Sequence, residues 1–88
     1  MKIKKDFVMR DVAGEAIVIA VGEESRHFKG MIRLNETGKE VWKGLERQEP
    51  EEVIVNHILE KYDATKEAIQ SDVRGMIRKL SAAGVLEA

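Results

Sequence analysis

Phe28-Lys29-Gly30-Met31-Ile32-Arg33-Leu34-Asn35-Glu36-Thr37-Gly38, with Trp42 four residues further on, is the stretch on which the fold turns. Residues 28–34 alternate as a short strand and Asn35 reads as a helix N-cap, so strand passes to helix with almost no loop. Within the strand, Phe28, Gly30 and Ile32 share one side, and Lys29, Met31 and Arg33 the other. A glycine in a strand relieves crowding, marks a bulge, or lets another backbone approach. For Gly30 all three readings stand, with Trp42 as the crowding neighbour. Gly38, inside the helix, is about 1 kcal/mol less favourable than alanine and reads as a point of close packing or an eased first turn.

Working towards the N-terminus, residues 7–12 have strand character, Ala13-Gly14 is a turn signal, and residues 15–21 form a second β-branched run. Ile17, Ile19 and Val21 fall on one face of that run, with Ala16, Val18 and Ala20 on the other, so it is expected at the centre of a small sheet. Residues 22–27 are polar and read as a loop. A three-strand meander leaves the strand at 28–34 on an edge.

Towards the C-terminus the spacing turns helical. Val41, Trp42 and Leu45 make one apolar stripe, and Pro50 with Glu51 and Glu52 opens the next helix. Ile54, Val55, Ile58, Leu59 and Tyr62 supply its apolar face. Thr65 caps a last helix carrying Ile69, Val73, Met76, Ile77 and Leu80. Gly84 reads as its left-handed end, with Val85 folding back. The expected class is α+β: a three-stranded antiparallel sheet followed by three helices, in a winged helix-turn-helix arrangement.

Composition narrows function. Eighty-eight residues suit a single domain over 1–88, and a net charge of −1 gives no general attraction to nucleic acid or anionic membrane. The absence of cysteine excludes disulfides and thiolate chemistry. The apolar run at 16–21 is too short to span a bilayer, and the basic start at 1–6 lacks the apolar core of a signal peptide, so the chain reads as cytoplasmic. His27 and His57 have no evident co-ligands, and no phosphate loop or nucleophile motif is present. We expect no catalysis, no metal and no cofactor of its own.

A second reading is a DNA-binding regulator that uses the last helix, which carries Lys66, Arg74, Arg78 and Lys79. Glu67 and Asp72 on that helix, and the near-neutral total, weaken it. A third is a structural subunit whose edge strand pairs with a second copy.

The stretch 28–38 with Trp42, Pro50-Glu51-Glu52, Tyr62-Asp63 and the ending Asp72-Val73, Leu80 and Ala83-Gly84-Val85-Leu86 resemble the PqqD-like family, the D protein of pyrroloquinoline quinone synthesis. The resemblance covers nearly the whole chain, and Leu34-Asn35-x-Thr37-Gly38 with Trp42 is its most specific part. It implies a winged-helix chaperone, or recognition element, for ribosomally made and modified peptides. Such a protein holds the leader of a precursor peptide and presents it to a modifying enzyme, often an iron–sulfur radical S-adenosylmethionine protein. It also implies that the leader adds as an antiparallel strand beside the third strand, in a cleft walled by the third helix. Carried onto this chain, the ladder groups fall at Lys29, Gly30, Met31, Ile32 and Arg33, and the wall at Asp72, Val73, Met76 and Ile77. Lys29 and Arg33 then either pair with an acidic leader or guard an exposed edge against aggregation.

Overall fold

The computed structural model describes residues 1–28 and 30–87. Among these residues, five strands and three α-helices follow in the order β1 (Lys2–Ile3), β2 (Phe7–Val12), β3 (Glu15–Ala20), β4 (Ile32–Leu34), α1 (Glu36–Glu46), α2 (Glu51–Lys61), α3 (Lys66–Ala82) and β5 (Leu86–Glu87). The α+β class holds: β2, β3 and β4 form an antiparallel sheet in that order, and the three helices follow. β3 is central, as its two apolar faces required.

Ala13 and Gly14 both take positive φ, 52° and 83°, and make a two-residue hairpin turn that sets Val12 opposite Glu15. This turn matches the right-handed twist of the flanking strands. The register carries through to Ala16↔Leu34, Ile17↔Arg33 and Val18↔Ile32 on the far side of β3. Alternation then turns Phe7, Ala16, Val18, Ile32 and Leu34 to a core closed by Val41, Trp42 and Leu45 of α1. Ile54, Val55 and Ile58 of α2, and Ile69, Val73 and Leu80 of α3, complete it.

Helix ends follow their local chemistry. Asn35 Oδ1 accepts the Gly38 N–H at 2.7 Å, and Thr65 Oγ1 accepts the Ala68 N–H at 3.2 Å. Gly84 sits at φ 79° past α3, and the Val85 N–H returns to the Leu80 carbonyl at 3.0 Å. Val85 is fully buried as a result.

Three features depart from the sequence reading. Residues 22–26 coil into a 3-10 turn, where a loop was expected. The edge strand starts at Ile32 and not at Phe28. The reason is local: the Phe28 N–H is taken by the Glu24 carbonyl at 2.9 Å, and its ring turns in to meet Phe7 edge-on, with centroids 5.4 Å apart. A residue committed to the preceding turn cannot also begin the ladder. Finally, β1 and β5 pair as a separate two-stranded sheet, Lys2↔Glu87 and Ile3↔Leu86, which ties the two ends of the described chain together.

Candidate functional site

Among the described residues β4 has a strand partner on one side only, and the hairpin determines which of its groups face outwards. In a two-residue hairpin the closing pair, here Val12 and Glu15, is hydrogen-bonded. The Val21 N–H to Asp6 carbonyl bond, 2.8 Å, falls in the same phase. Residues 15, 17, 19 and 21 therefore bond towards β2, while 16 and 18 bond towards β4. Ile32 and Leu34 are used by those bonds, so the N–H and C=O of Arg33 point to the open edge. One further step of the alternation brings Met31 to the same edge, ahead of the strand proper.

The side chains divide in the same way. Ile32 and Leu34 are buried, so they offer nothing to a ligand. Met31 is 58% exposed, among the few large apolar side chains left in solvent. The Arg33 side chain is 74% exposed and stands 4.0 Å from Glu15, itself exposed. An ion pair so open contributes roughly 0–1 kcal/mol and leaves the guanidinium available to another anion. Lys29 lies outside the described residues. Gly30 is not relieving crowding against Trp42: a Cβ built on it would meet nothing within 4 Å.

The facing wall comes from α3. Asp72, Met76 and Lys79 recur at helical spacing along one stripe, with Gly75 beside them. They line a hollow of about 280 Å³ whose other side is the first turn of α1, Thr37 and Gly38. A second hollow, about 400 Å³, shares Asn35, Met76 and Lys79 with it and runs on to Arg33, Leu34 and Lys39. Together they form a trough from α3 past the end of β4. Asp72 is exposed on its rim and Met76 half-buried in its floor. Val73 has no exposed surface, so it backs the wall from inside the core, and Ile77 packs partly against the same core.

The trough brings together Arg33, Asp72 and Met76, three of the residues carried over from the resemblance, while Val73 and the Ile32 side chain lie in the core. It adds Asn35, Thr37, Lys39, Gly75 and Lys79. Gly75 and Lys79 were within reach of the sequence, each three residues after Asp72 or Met76; Lys39 required knowing that α1 begins against α3.

The basic side chains of α3 do not make one free face. Arg74 Nε is held by Glu51 at 3.2 Å. Among the described residues, no three His, Asp or Glu side chains cluster as metal ligands, and no helix is long and apolar enough to cross a membrane.

The profile of the family described as coenzyme PQQ synthesis protein D (PqqD) matches residues 15–86. The chain belongs to the PqqD family. The matched segment holds β3, β4 and all three helices, hence every element of the trough in this PqqD-family chain. Two solved structures share its fold. TbiB1 in complex with the TbiA(beta) leader peptide is 24% identical, with a TM-score of 0.81 over 100% of this chain and 96% of that one. Lasso peptide synthetase B1 complexed with the leader peptide is 10% identical, with a TM-score of 0.79 over 99% and 96%. No curated protein matches the chain.

Proposed function

We propose that this PqqD-family chain is a non-catalytic recognition protein. It binds the leader of a ribosomally made precursor peptide as an antiparallel strand on β4 and presents that precursor to a modifying enzyme. The observation that carries the reading is the open edge at Arg33 running alongside the α3 trough. Strand addition takes its affinity from backbone groups and its specificity from neighbouring pockets, and this chain has both side by side. The leader-bound state of both fold neighbours supports the same reading.

Within residues 29–33, the outward groups of Met31 and Arg33 supply the ladder, Met76 adapts to an apolar anchor, and Asp72 and Ile77 border it. Because the added strand is antiparallel, the N-terminal part of the leader lies towards Asn35, Lys39 and Lys79. Those lysines and Arg33 favour acidic residues there. We further read the enzyme served as a radical S-adenosylmethionine protein, the setting as cytoplasmic and the helical half as a winged helix-turn-helix.

Titrating a leader peptide into ¹⁵N-labelled protein tests the site. Amides of residues 29–33 and of α3 should shift; shifts confined to α2 or the β1–β5 sheet would exclude it. A DNA reader would instead lose affinity steeply with salt. Concentration-dependent dimers in sedimentation would point to self-pairing of the edge.

A further inference from the structure

Of the chain's seven glycines, five have a reason inside the protein. Three take positive φ, and a Cβ on Gly38 or Gly44 would collide with Met76 or Ile54. Gly30 and Gly75 have neither reason: neither is left-handed, and a Cβ on either would meet nothing within 4 Å. These two stand one on each proposed wall of the trough.

Gly75 is the more telling. It lies in the interior of α3, where glycine is the least favourable residue after proline, and it is exposed. No contact among the described residues explains it. It sits on the rim between the trough, with Asp72, Met76 and Lys79, and the outer surface of α3, with Gln70, Arg74 and Arg78. A missing side chain there leaves helix backbone bare beside the flexible thioether of Met76. That surface suits a bulky apolar group laid flat against it.

We propose that Gly75 is a specificity-determining position: its bare backbone seats a large apolar side chain of the leader, branched or aromatic, against Met76. The assignment rests on the leader-binding reading above. The seat is defined by absence, so any side chain at 75 occupies the volume the leader needs.

The test is Gly75→Ala, with a fluorescein-labelled synthetic leader peptide chosen from a panel of precursor-peptide leaders as the one the wild type binds most tightly. Because alanine gains helix propensity and meets open space, the melting temperature should rise by about 4–8 °C. Leader affinity should fall by about tenfold or more, since one added methyl overfills the seat. In an alanine scan of the leader, one large apolar position should matter to the wild type and much less to Gly75→Ala. A lowered melting temperature would give Gly75 an internal role and overturn the assignment. So would unchanged affinity, or a scan with no coupled position. A wild-type chain that binds no leader at all would instead overturn the strand-addition reading, and the seat with it.

Discussion

Met76 Cε fills the space that a side chain on Gly38 would need, since a Cβ there would lie 2.9 Å from it. Through this contact α3 rests on the first turn of α1, and α1 begins directly after β4. The trough wall and the strand edge are therefore held at a fixed spacing by one glycine and one methionine. In Gly38→Ala the methionine tip can swing aside, but Leu34 Cβ at 3.3 Å and Asn35 Oδ1 at 3.2 Å are less free. Crowding of 1–3 kcal/mol against a helix-propensity gain near 1 predicts a net loss of about 1 kcal/mol in urea unfolding. The Met76 methyl resonance should move and leader affinity drop. Greater stability with unchanged binding would mean that the contact does not set the spacing.

The open edge makes a second prediction through Met31. Its side chain is exposed, so Met31→Pro loses little packing, while the ring deletes the N–H that alternation turns outwards. One lost backbone bond to a bound strand should weaken leader binding about two- to tenfold, with melting almost unchanged. Met31→Leu should bind like the wild type. Equal binding by the proline variant would move the ladder elsewhere.

The same two sites show what sequence can and cannot reveal. Turns and caps are local, so Ala13-Gly14, Asn35, Thr65 and Gly84 could be read directly, and with them the helix starts, the hairpin and the central place of β3. The β1–β5 sheet could not: Lys2-Ile3 and Leu86-Glu87 are two residues each, too short for any period, and they meet only through the tertiary fold. The alternation at 28–34 looked continuous because nothing in it shows that Glu24 captures the Phe28 N–H. In the site, the edge followed from strand order, while Asp72 and Met76 came from the family resemblance. Val73 shares their neighbourhood in sequence, yet it points into the core. Lys39 entered only because Gly38 lets α1 and α3 close on each other.

Gly44 and Ile54 make the tightest of these glycine approaches. A Cβ on Gly44 would fall 2.5 Å from Ile54 Cγ1 and 2.9 Å from Cδ1. Ile54 is 1% exposed, so it has nowhere to retreat. Gly44→Ala should therefore destabilise by about 1–3 kcal/mol despite the helix propensity gained. Ile54→Ala removes both colliding atoms, so the double variant should lose clearly less than the sum of the single losses in urea unfolding. Simple additivity would show that α1 and α2 part freely.

Beside that crossing, Glu49 gives the fold a pH dependence. Arg47 Nε donates to its Oε2 at 3.0 Å and Nη2 to its Oε1 at 3.3 Å, and His57 Nδ1 stands 3.4 Å away. The Arg47 hydrogen bonds, more than the attraction of charges, hold the Glu49 carboxyl below the usual carboxylate range. A carboxyl that binds its proton more weakly when folded stabilises the fold above its ordinary value and loses that contribution as pH falls through the lowered one. Glu49→Gln cannot make this change. The wild type should thus be the more stable of the two at about pH 7, and the gap should shrink as pH falls through the lowered carboxyl value. Thermal melts across that range measure it, and added salt should narrow the gap at neutral pH, because Arg47 is half in solvent. A gap that persists unchanged into acid would assign the stabilisation to Glu49 packing over Gly44, and not to its charge.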